Sequence, residues 1–423
     1  MNKINTVIIG AGFSGLSAGH KLGKDYVLLE KDGRPGGLAR SEKIRGFTFD
    51  YTGHLLHFRN EKAKKFILKN VRTKLNEIKR NAFIYSCGTY TNYPYQTNMY
   101  GLPYNVIEEN LLGFLCSRKG KVAKDNFEKW AITTFGMGIA KHFMLPYNKK
   151  LWKHKLSELT INWLGRFVPV PSVDEIFRGI TPDKIEAGYN VFFYYPRKGG
   201  IESVIKDVYE KIKQNVLLNS EVKFIDLKNK ILYFNKNKIS YNHIISSINL
   251  RQLIKITGDK KLIRLASKLK AVSVYSLNVG YIDRNKNDKH WIYFPEEKYP
   301  FYRAGFFNQF SGFNAPRGMS SVFVETTFKN KPPYSIDSKI INDLIDTGII
   351  KSRRDIKLIY PMILKDAYVI FDKEREKVLP EIKEQLEKHG IFPVGRWGKW
   401  EYSSMEDAIL DGFDAAEKIL SKG

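Results

Sequence analysis

A glycine-rich turn near the start of the chain constrains the fold more than any other segment. Residues 10–15 read Gly-Ala-Gly-Phe-Ser-Gly. The apolar run 6–9 before them predicts a buried parallel strand, and the spacing of apolar residues over 16–22 predicts a helix. A second apolar run, 26–29, leads to the acid Glu30, twenty residues after Gly10. Strand, turn, helix, strand and acid in this order predict a dinucleotide-binding α/β unit.

The chemistry of the turn supports this interpretation. Glycine lets the backbone turn tightly and approach a pyrophosphate, and the N-terminus of the following helix favours the phosphate charge. Glu30 is then expected to accept hydrogen bonds from a ribose. The alternative is a tight turn that binds no ligand, in which case Glu30 is a solvated strand end.

A second glycine pair distinguishes between NAD and FAD as the dinucleotide. Gly36 and Gly37 follow shortly after the acid, within the stretch 33–40, and a loop of this kind can lie along an extended cofactor. Arg40 is predicted to reach the phosphates or the ribityl chain of that cofactor. The stretch resembles the FAD-binding signature of flavoproteins of the glutathione-reductase and amine-oxidase type, so the predicted cofactor is FAD. A glycine-rich surface turn is the alternative.

The net charge and the cysteine content restrict the partners and metal sites that the chain can have. The formal net charge is +26, which draws in anionic substrates and favours weak peripheral adhesion to an anionic membrane. The basic residues form separate clusters, at 62–69, 119–124 and 255–270, and no recognition motif accompanies them, so no specific nucleic-acid partner is predicted. Cys87 and Cys116 form neither a disulfide framework nor a metal cluster, and no metal site is predicted.

The apolar runs predict a cytoplasmic protein. None approaches the roughly 20 residues that cross a bilayer. The short apolar run near the N-terminus is interrupted by glycines and lacks a cleavage site, which argues against a signal peptide.

The length of 423 residues predicts two or three domains. The expected fold class is α/β. A discontinuous, Rossmann-like FAD-binding domain is assigned to 1–100, 200–260 and 375–423. An inserted, mostly helical domain at 101–199 is expected to bind substrate and uridine, and an antiparallel sheet at 261–374 forms a substrate domain.

Four further stretches combine aromatic residues with Pro, Asn or Arg in a way that a plain core does not require. They are Gly53-His54 and the segments 93–98, 143–152 and 291–303. Together with the FAD signatures and Gly-Arg-Trp-Gly-Lys-Trp at 395–400, they resemble the UDP-galactopyranose mutase family, its eukaryotic-type sequences in particular. The likeness runs from about residue 5 to about residue 415.

The resemblance implies a non-redox isomerase within the FAD-binding amine-oxidase-like superfamily. Reduced FAD, with NADH or NADPH as reductant, offers its N5 as a nucleophile to the anomeric carbon of a nucleotide sugar. The pyranose and furanose forms, of UDP-galactose in the first instance, then interconvert for cell-surface polysaccharide biosynthesis. The sugar, the nucleotide, the reductant and the choice between monomer and homo-oligomer stay open.

By the same resemblance, the family's functional residues carry over to matching positions. His54, beside the flavin, and Arg303, on the diphosphate, are the catalytic candidates. Val222 is expected in the strand that meets the adenine. The cofactor-binding candidates are Gly10, Gly12, Phe13, Ser14, Gly15, Glu30, Lys31, Gly37, Leu38, Arg40, Val222, Gly395, Arg396 and Met405. The substrate-binding candidates are Tyr93, Gln96, Phe143, Asn148, Trp152, Tyr293, Arg303, Tyr368 and Tyr402. Ordinary packing is the alternative for the aromatic residues, and a structural role is the alternative for His54.

Two positions depart from the family pattern, both on the diphosphate side. Phe167 stands where the family has a second arginine, immediately after Trp-Leu-Gly-x, and Arg166 stands one residue early. A one-residue shift turns a side chain by about 100° in a helix and reverses it in a strand. Either the backbone compensates, or Arg178 or Arg197 substitutes, or the diphosphate is held differently. Phe310 stands where eukaryotic-type sequences have a tyrosine.

Two other functions stay open. The same FAD signatures serve redox flavoproteins of the amine oxidase or desaturase type, and the altered diphosphate side leaves room for a different substrate. The net charge also suits a basic, FAD-holding scaffold at a membrane surface. Oxygen-dependent turnover with release of peroxide distinguishes the first, and salt-sensitive liposome binding without turnover distinguishes the second.

Overall fold

The computed structural model describes residues 3–186, 191–284 and 287–421. The strands, in chain order, are β1 (Lys3–Ile9), β2 (Tyr26–Leu29), β3 (Ser41–Ile44), β4 (Phe47–Asp50), β5 (Leu75–Lys79), β6 (Ala82–Ser86), β7 (Thr89–Asn92), β8 (Phe192–Pro196), β9 (Val216–Leu217), β10 (Val222–Asp226), β11 (Ile231–Phe234), β12 (Asn237–Ser246), β13 (Ala271–Ile282), β14 (Trp291–Tyr293), β15 (Arg303–Phe306), β16 (Met319–Phe328), β17 (Ile356–Val369) and β18 (Ile391–Pro393).

The α-helices connect and cover these strands. They are α1 (Phe13–Leu22), α2 (Glu61–Asn70), α3 (Tyr104–Ser117), α4 (Phe127–Ile139), α5 (Leu145–Trp152), α6 (Val173–Arg178), α7 (Glu202–Glu210), α8 (Leu250–Thr257), α9 (Lys260–Ala266), α10 (Phe307–Phe310), α11 (Asp337–Asp346), α12 (Lys373–Lys388), α13 (Gly395–Gly398) and α14 (Met405–Leu420). None of the helices in the described part of the chain is both long and apolar enough to cross a membrane.

The first sheet is the Rossmann-like unit that the glycine turn predicts. Its order is β10-β11-β12-β1-β2-β9, with β18 paired to β12. β1 lies parallel to both β2 and β12, and its apolar residues are buried because helices cover the sheet. The strands come from 3–29, 216–246 and 391–393, and each of these stretches lies in a segment assigned to the FAD-binding domain.

The second sheet has the order β17-β13-β16-β15-β14-β6-β7. Its pairs are antiparallel except that β14 and β6 run parallel, so the expected purely antiparallel sheet is a mixed one. β6 and β7 belong to it although the sequence assigned 82–92 to the FAD-binding domain. The pairing of Trp291 with Ala82 explains the difference, because a chain contact across 209 residues leaves no local signal.

The segment 101–186 is largely helical, as expected. α3 and α4 cross so closely that a Cβ on Gly138 would overlap the Glu109 backbone. A π-helical turn, Ala140–Met144, joins α4 to α5. Between α5 and α6 the chain forms only two short 3₁₀ turns, Leu156–Glu158 and Gly165–Phe167.

Candidate functional site

The glycine turn forms an open cradle at the carboxyl end of β1. Nothing lies within 4 Å of the position that a Cβ would take on Gly12. Gly37, with φ +56°, faces it, and a Cβ built there comes 3.7 Å from the Gly12 Cα. By contrast, a Cβ on Gly15 would fall well inside 3.0 Å of the Gly10 carbonyl oxygen. Gly12 and Gly37 therefore leave space for a ligand, whereas Gly15 serves the close packing of α1 on β1.

The start of α1 is suited to an anion. Gly12 is its N-cap residue, and no side chain there accepts a hydrogen bond from the first N–H groups of the helix. These donors and the helix dipole favour a phosphate at this position. Phe13 and Ser14 line the same cavity. The residues therefore fit the pyrophosphate of a dinucleotide.

Glu30 follows β2 and is buried, with 5% of its surface exposed. Its Oε2 accepts a hydrogen bond from the Ala11 N–H (2.7 Å), and its Oε1 accepts one from the Asp32 N–H (3.0 Å). The carboxylate thus joins the glycine turn to the next loop while it lines the cavity. Each oxygen keeps a further lone pair, so these bonds are compatible with a ribose hydroxyl.

Arg40 lines the cavity but is committed to its own loop. Its Nε donates to the Pro35 carbonyl oxygen (3.2 Å), its Nη1 to Asp32 (2.7 Å) and its Nη2 to the Arg34 carbonyl oxygen. That Arg40 reaches the phosphates or the ribityl chain stays a prediction. In the structure, its hydrogen bonds shape the loop that carries Gly37.

A second glycine turn, near the C-terminus, lies against the first. Gly395 has φ +71°, and a Cβ there would overlap the Ser14 hydroxyl. The neighbouring Arg396 donates from Nη1 to the Ala367 carbonyl oxygen (3.1 Å) and from Nη2 to that of Ser403 (3.0 Å). No ion pair of the described residues includes it, and its guanidinium lies over the rings of Tyr368 (5.6 Å) and Tyr402 (4.9 Å) on the cavity wall.

His54 lies on the cavity wall. Burial and, after it, the charge of Arg396 lower the pKa of His54 to about 4. The charge of Arg303 acts in the same direction. The imidazole is therefore neutral near pH 7 and offers one donor and one acceptor nitrogen.

Arg303 is held by a buried acid on the neighbouring strand. Residue 303 of β15 stands opposite Glu325 of β16, which is 1% exposed. The Nη2 of Arg303 donates to Glu325 Oε1 (2.9 Å), and its Nε donates to Oε2. Burial opposes the charge, yet Glu325 raises the pKa of Arg303 well above its usual value. The guanidinium is therefore a fixed, oriented cation.

Aromatic rings enclose the space around Arg303. Tyr293 lies 5.0 Å from Tyr93 and 5.5 Å from Tyr147, measured between ring centres. On the other side, Tyr368 and Tyr402 stack at 5.9 Å. The cavity is consequently apolar in its walls, with hydroxyl groups and arginines at a few positions.

Several amide groups expected to hold uridine bond within the protein. The Gln96 Nε2 donates to the Pro169 carbonyl oxygen (2.7 Å). Asn148 donates to the Met144 carbonyl oxygen (2.8 Å) and accepts from Trp152 Nε1 (3.0 Å). These residues line the cavity, but their amides also fasten α5 and its surroundings.

The two departures on the diphosphate side have a structural counterpart. Phe167 packs edge-on against Tyr402, at 4.6 Å between ring centres, and lines the cavity. The side chain of Arg166 lies outside the described part of the structure. Arg178 pairs with Asp174 on the exposed face of α6, and neither it nor Arg197 lines the cavity. The substitution of either arginine for the missing one is therefore not what the structure shows.

Phe310 is buried, with 1% of its surface exposed, and lines the cavity. It packs against Tyr195 at 5.4 Å and against His290 at 6.1 Å. An apolar ring thus occupies the position where a hydroxyl was expected by the family pattern.

One cavity of about 1250 Å³ brings the predicted residues together. Every candidate lines it except Gly15, which is buried under the turn. Other residues contribute that were not predicted: Tyr147 and Trp163 line the cavity, and Glu325 holds Arg303. Tyr147 stands inside the quoted motif 143–152, so that motif could have indicated it. Glu325 left no signal, because only the strand register brings it to Arg303.

Fold and cavity together define the class: an α/β protein with a Rossmann-like dinucleotide-binding domain beside a second, mixed sheet. Residues 8–69 match the family model described as an NAD(P)-binding Rossmann-like domain. Over its length the chain is similar to a crystal structure of reduced UDP-galactopyranose mutase, with a TM-score of 0.94 and 26% identity, covering 100% of this chain and 95% of that one. The resemblance to UDP-galactopyranose mutase is confirmed in the structure.

Other relatives share the fold at lower identity. A protein from Exiguobacterium sp. 255-15, provisionally named a protoporphyrinogen oxidase, has a TM-score of 0.78 and 15% identity, with 100% of both chains covered. Cyclohexylamine oxidase from Brevibacterium oxydans has a TM-score of 0.70 and 12% identity, with 99% of both chains covered. These two establish the fold alone.

One curated sequence also matches part of the chain. An uncharacterized protein of the nifH2 3′ region of Methanothermococcus thermolithotrophicus is 40% identical over 67 residues, which make up 15% of this chain. The match spans 65% of that relative's own length. The name of that relative states no activity.

Proposed function

We propose that this chain is a flavin-dependent, non-redox isomerase that interconverts the pyranose and furanose forms of a nucleotide sugar, with UDP-galactose as the first candidate. One observation carries the proposal. The glycine cradle and the chamber around Arg303 belong to a single cavity of about 1250 Å³. A dinucleotide in the cradle and an anionic sugar nucleotide beside Arg303 therefore share one enclosed space.

FAD fits the residues along this cavity. Gly12 and Gly37 leave room for a pyrophosphate, and Glu30 stands where a ribose can bind. Arg396 and His54 line the same cavity, and His54 lies close enough to Arg396 and Arg303 for their charges to lower its pKa. When bound in its reduced form, FAD supplies a nucleophilic nitrogen, and this use of flavin needs no net transfer of electrons.

Arg303 is proposed to hold the diphosphate. Glu325 occupies two of the five guanidinium N–H donors and leaves the others for phosphate oxygens, whose paired geometry a guanidinium matches. The hydroxyl groups of Tyr293, Tyr368 and Tyr402 are proposed as additional donors. Because the arginine is oriented before the ligand arrives, little reorganisation opposes binding.

His54 is proposed to position the cofactor as a neutral group. A charged imidazole would add a third cation next to Arg396 and Arg303, and the lowered pKa of His54, about 4, avoids this. A neutral ring donates one hydrogen bond and accepts another. The aromatic walls around it exclude water, which strengthens each of these polar contacts.

The direct test uses the FAD-loaded protein with UDP-galactofuranose. The flavin is reduced with dithionite, and in parallel with NADH and with NADPH. We expect UDP-galactopyranose, separated by chromatography, from the reduced protein and none from the oxidised protein. If the reduced protein retains FAD but converts none of several UDP- and dTDP-sugars, the proposal is refuted.

A redox function is the second candidate. The fold is shared with an amine oxidase, and Phe167 and Phe310 make the diphosphate side less polar. In that case amine or other reduced substrates, offered in air, produce peroxide in proportion to turnover. Isomerisation without peroxide distinguishes the mutase. We further propose a cytoplasmic location, a role in surface polysaccharide synthesis and weak peripheral association with an anionic membrane. These assays do not test them, nor the choice between monomer and homo-oligomer.

A further inference from the structure

Lys150 is a buried lysine without an acidic partner. It lies in the last turn of α5, and 8% of its surface is exposed. Its ammonium group donates to the carbonyl oxygens of Phe294 (2.8 Å) and Phe301 (2.9 Å). No carboxylate of the described residues comes within 4.0 Å of it. Lysine is rarely buried in this way, because the charge loses its hydration.

The two carbonyl groups mark both ends of one loop. This loop joins β14 to β15, and its base is closed by the hydrogen bond from the Phe294 N–H to the Tyr302 carbonyl oxygen (3.0 Å). Phe294 directly follows Tyr293, and Phe301 stands two residues before Arg303. The ammonium group therefore fastens the loop where it leaves one candidate diphosphate contact and where it returns to the other.

The helix end of this link is fixed as well. The Thr327 hydroxyl of β16 donates to the Lys150 carbonyl oxygen, so backbone and side chain of the residue are both held. α5 also carries Asn148 and Trp152, one on each side of Lys150 and both lining the cavity. One side chain thus joins the helix of the candidate uridine contacts to the strands of the candidate diphosphate contacts.

We propose that Lys150 is a positioning residue that sets the spacing between α5 and the β14–β15 pair, and thereby the spacing between the nucleoside and diphosphate contacts of the substrate. The identity of the ligand in this inference rests on the proposed function. The link itself rests on the hydrogen bonds of Lys150.

The link does not depend on the protonation of the amine. Burial lowers the pKa of Lys150 to about 7. The neutral amine still has two N–H donors, and the two carbonyl groups require no more. The charged groups that face it are Glu296 and Glu297 of the loop, Lys153 of α5 and Asp343 of α11.

Lys150→Met tests the inference, because it keeps a long apolar side chain and removes the donors. We expect UDP to bind the oxidised, FAD-loaded variant at least about tenfold more weakly, a change of about 1.4 kcal/mol, with the flavin spectrum unchanged. Hydrogen–deuterium exchange is expected to accelerate in 294–302. If this variant does not fold, Lys150→Gln, whose side chain is too short to reach both carbonyl groups, serves for the same measurements with the same expected results.

Lys149→Met is the matched control. Lys149 precedes Lys150 and also contacts the loop, through Glu297 at 2.7 Å, but its side chain is 68% exposed. We expect this variant to bind UDP as the parent does. Ile382→Val, at a fully buried position of α12, is a control for a general loss of stability. We expect it to lower the melting temperature without changing the affinity for UDP.

Equal UDP affinity in the Lys150 and Lys149 variants would overturn the inference, as would weaker binding without faster exchange in the loop. If the parent protein does not bind UDP, the proposed function fails. Hydrogen–deuterium exchange of Lys150→Met then still tests whether Lys150 fastens the loop. Faster exchange in 294–302 supports this role, and unchanged exchange overturns it.

Discussion

Gly12→Ala separates binding of the cofactor from stability of the fold. The added methyl group enters open space, and the backbone angles of residue 12, φ −80° and ψ −177°, suit alanine. Alanine restricts the unfolded chain more than glycine does, which raises the free energy of unfolding by about 0.4–1 kcal/mol. This gain offsets the loss that comes from alanine being a poorer N-cap residue. We expect the free energy of unfolding of the cofactor-free protein to stay within about 1 kcal/mol. FAD affinity should fall about 100-fold, or about 2.7 kcal/mol, because the methyl group takes the place of the pyrophosphate.

Gly15→Ala is the matched control with the opposite expectation. A Cβ there lies well inside 3.0 Å of the Gly10 carbonyl oxygen and 3.3 Å from the Ile8 Cγ2. The backbone at Gly10 cannot yield without separating α1 from β1. Overpacking of this kind costs about 1–3 kcal/mol, and we expect that loss with and without FAD.

Two measurements decide the comparison. Urea unfolding of the cofactor-free variants, followed by circular dichroism, gives the free energies of unfolding. Titration with FAD, followed by quenching of flavin fluorescence, gives the affinities. Unchanged FAD affinity in Gly12→Ala would refute the reasoning about the cradle. A Gly15→Ala variant as stable as the parent would refute the reasoning about close packing.

Other changes address the substrate chamber. Phe167→Arg should tighten UDP binding about tenfold in calorimetry, because a hydrogen bond to a charged group contributes about 1.5–3 kcal/mol; equal or weaker binding would contradict this. Glu325→Gln should lower kcat/KM at least tenfold with the flavin spectrum unchanged, because it removes the carboxylate that orients Arg303; full activity would show that the strand register suffices. The pKa of Lys150, about 7 in the folded protein and 10.5 for an ordinary lysine, means that the unfolded state binds more protons between these values. Stability to urea should therefore rise over this pH range, and the rise should be smaller in Lys150→Met, whereas an equal rise would exclude Lys150 as its source.

Local backbone requirements explain which features could be predicted. The glycine turn, the acid after β2 and the C-terminal turn each depend on a few neighbouring residues, and the structure forms all three. Arg40 shows the limit of such reasoning. Its position beside the cofactor loop was evident from the spacing, but its direction was not, because Asp32 and two carbonyl groups of the same loop compete for its donors.

For the altered diphosphate side, the sequence could predict that the contact differs from the family pattern but not which residue replaces the arginine. The sequence indicates that an arginine is displaced, but several replacements were consistent with it. The structure places Phe167 against Tyr402 and puts Arg178 on the surface. The decision depends on where the turn at 165–167 meets the rings of the cavity, and distant segments contribute those rings.

The sequence by itself determined the Rossmann-like start, the class of cofactor and a part of the cavity-lining residues, because glycine positions and apolar periodicity act within a few residues along the chain. Only the tertiary structure decided how Arg303 is held and why Lys150 is buried. Glu325 reaches Arg303 through the register of β15 and β16, and Lys150 reaches its carbonyl groups because α5 packs beside the β14–β15 loop. Such pairings depend on the packing of segments far apart in the chain, which no local pattern encodes.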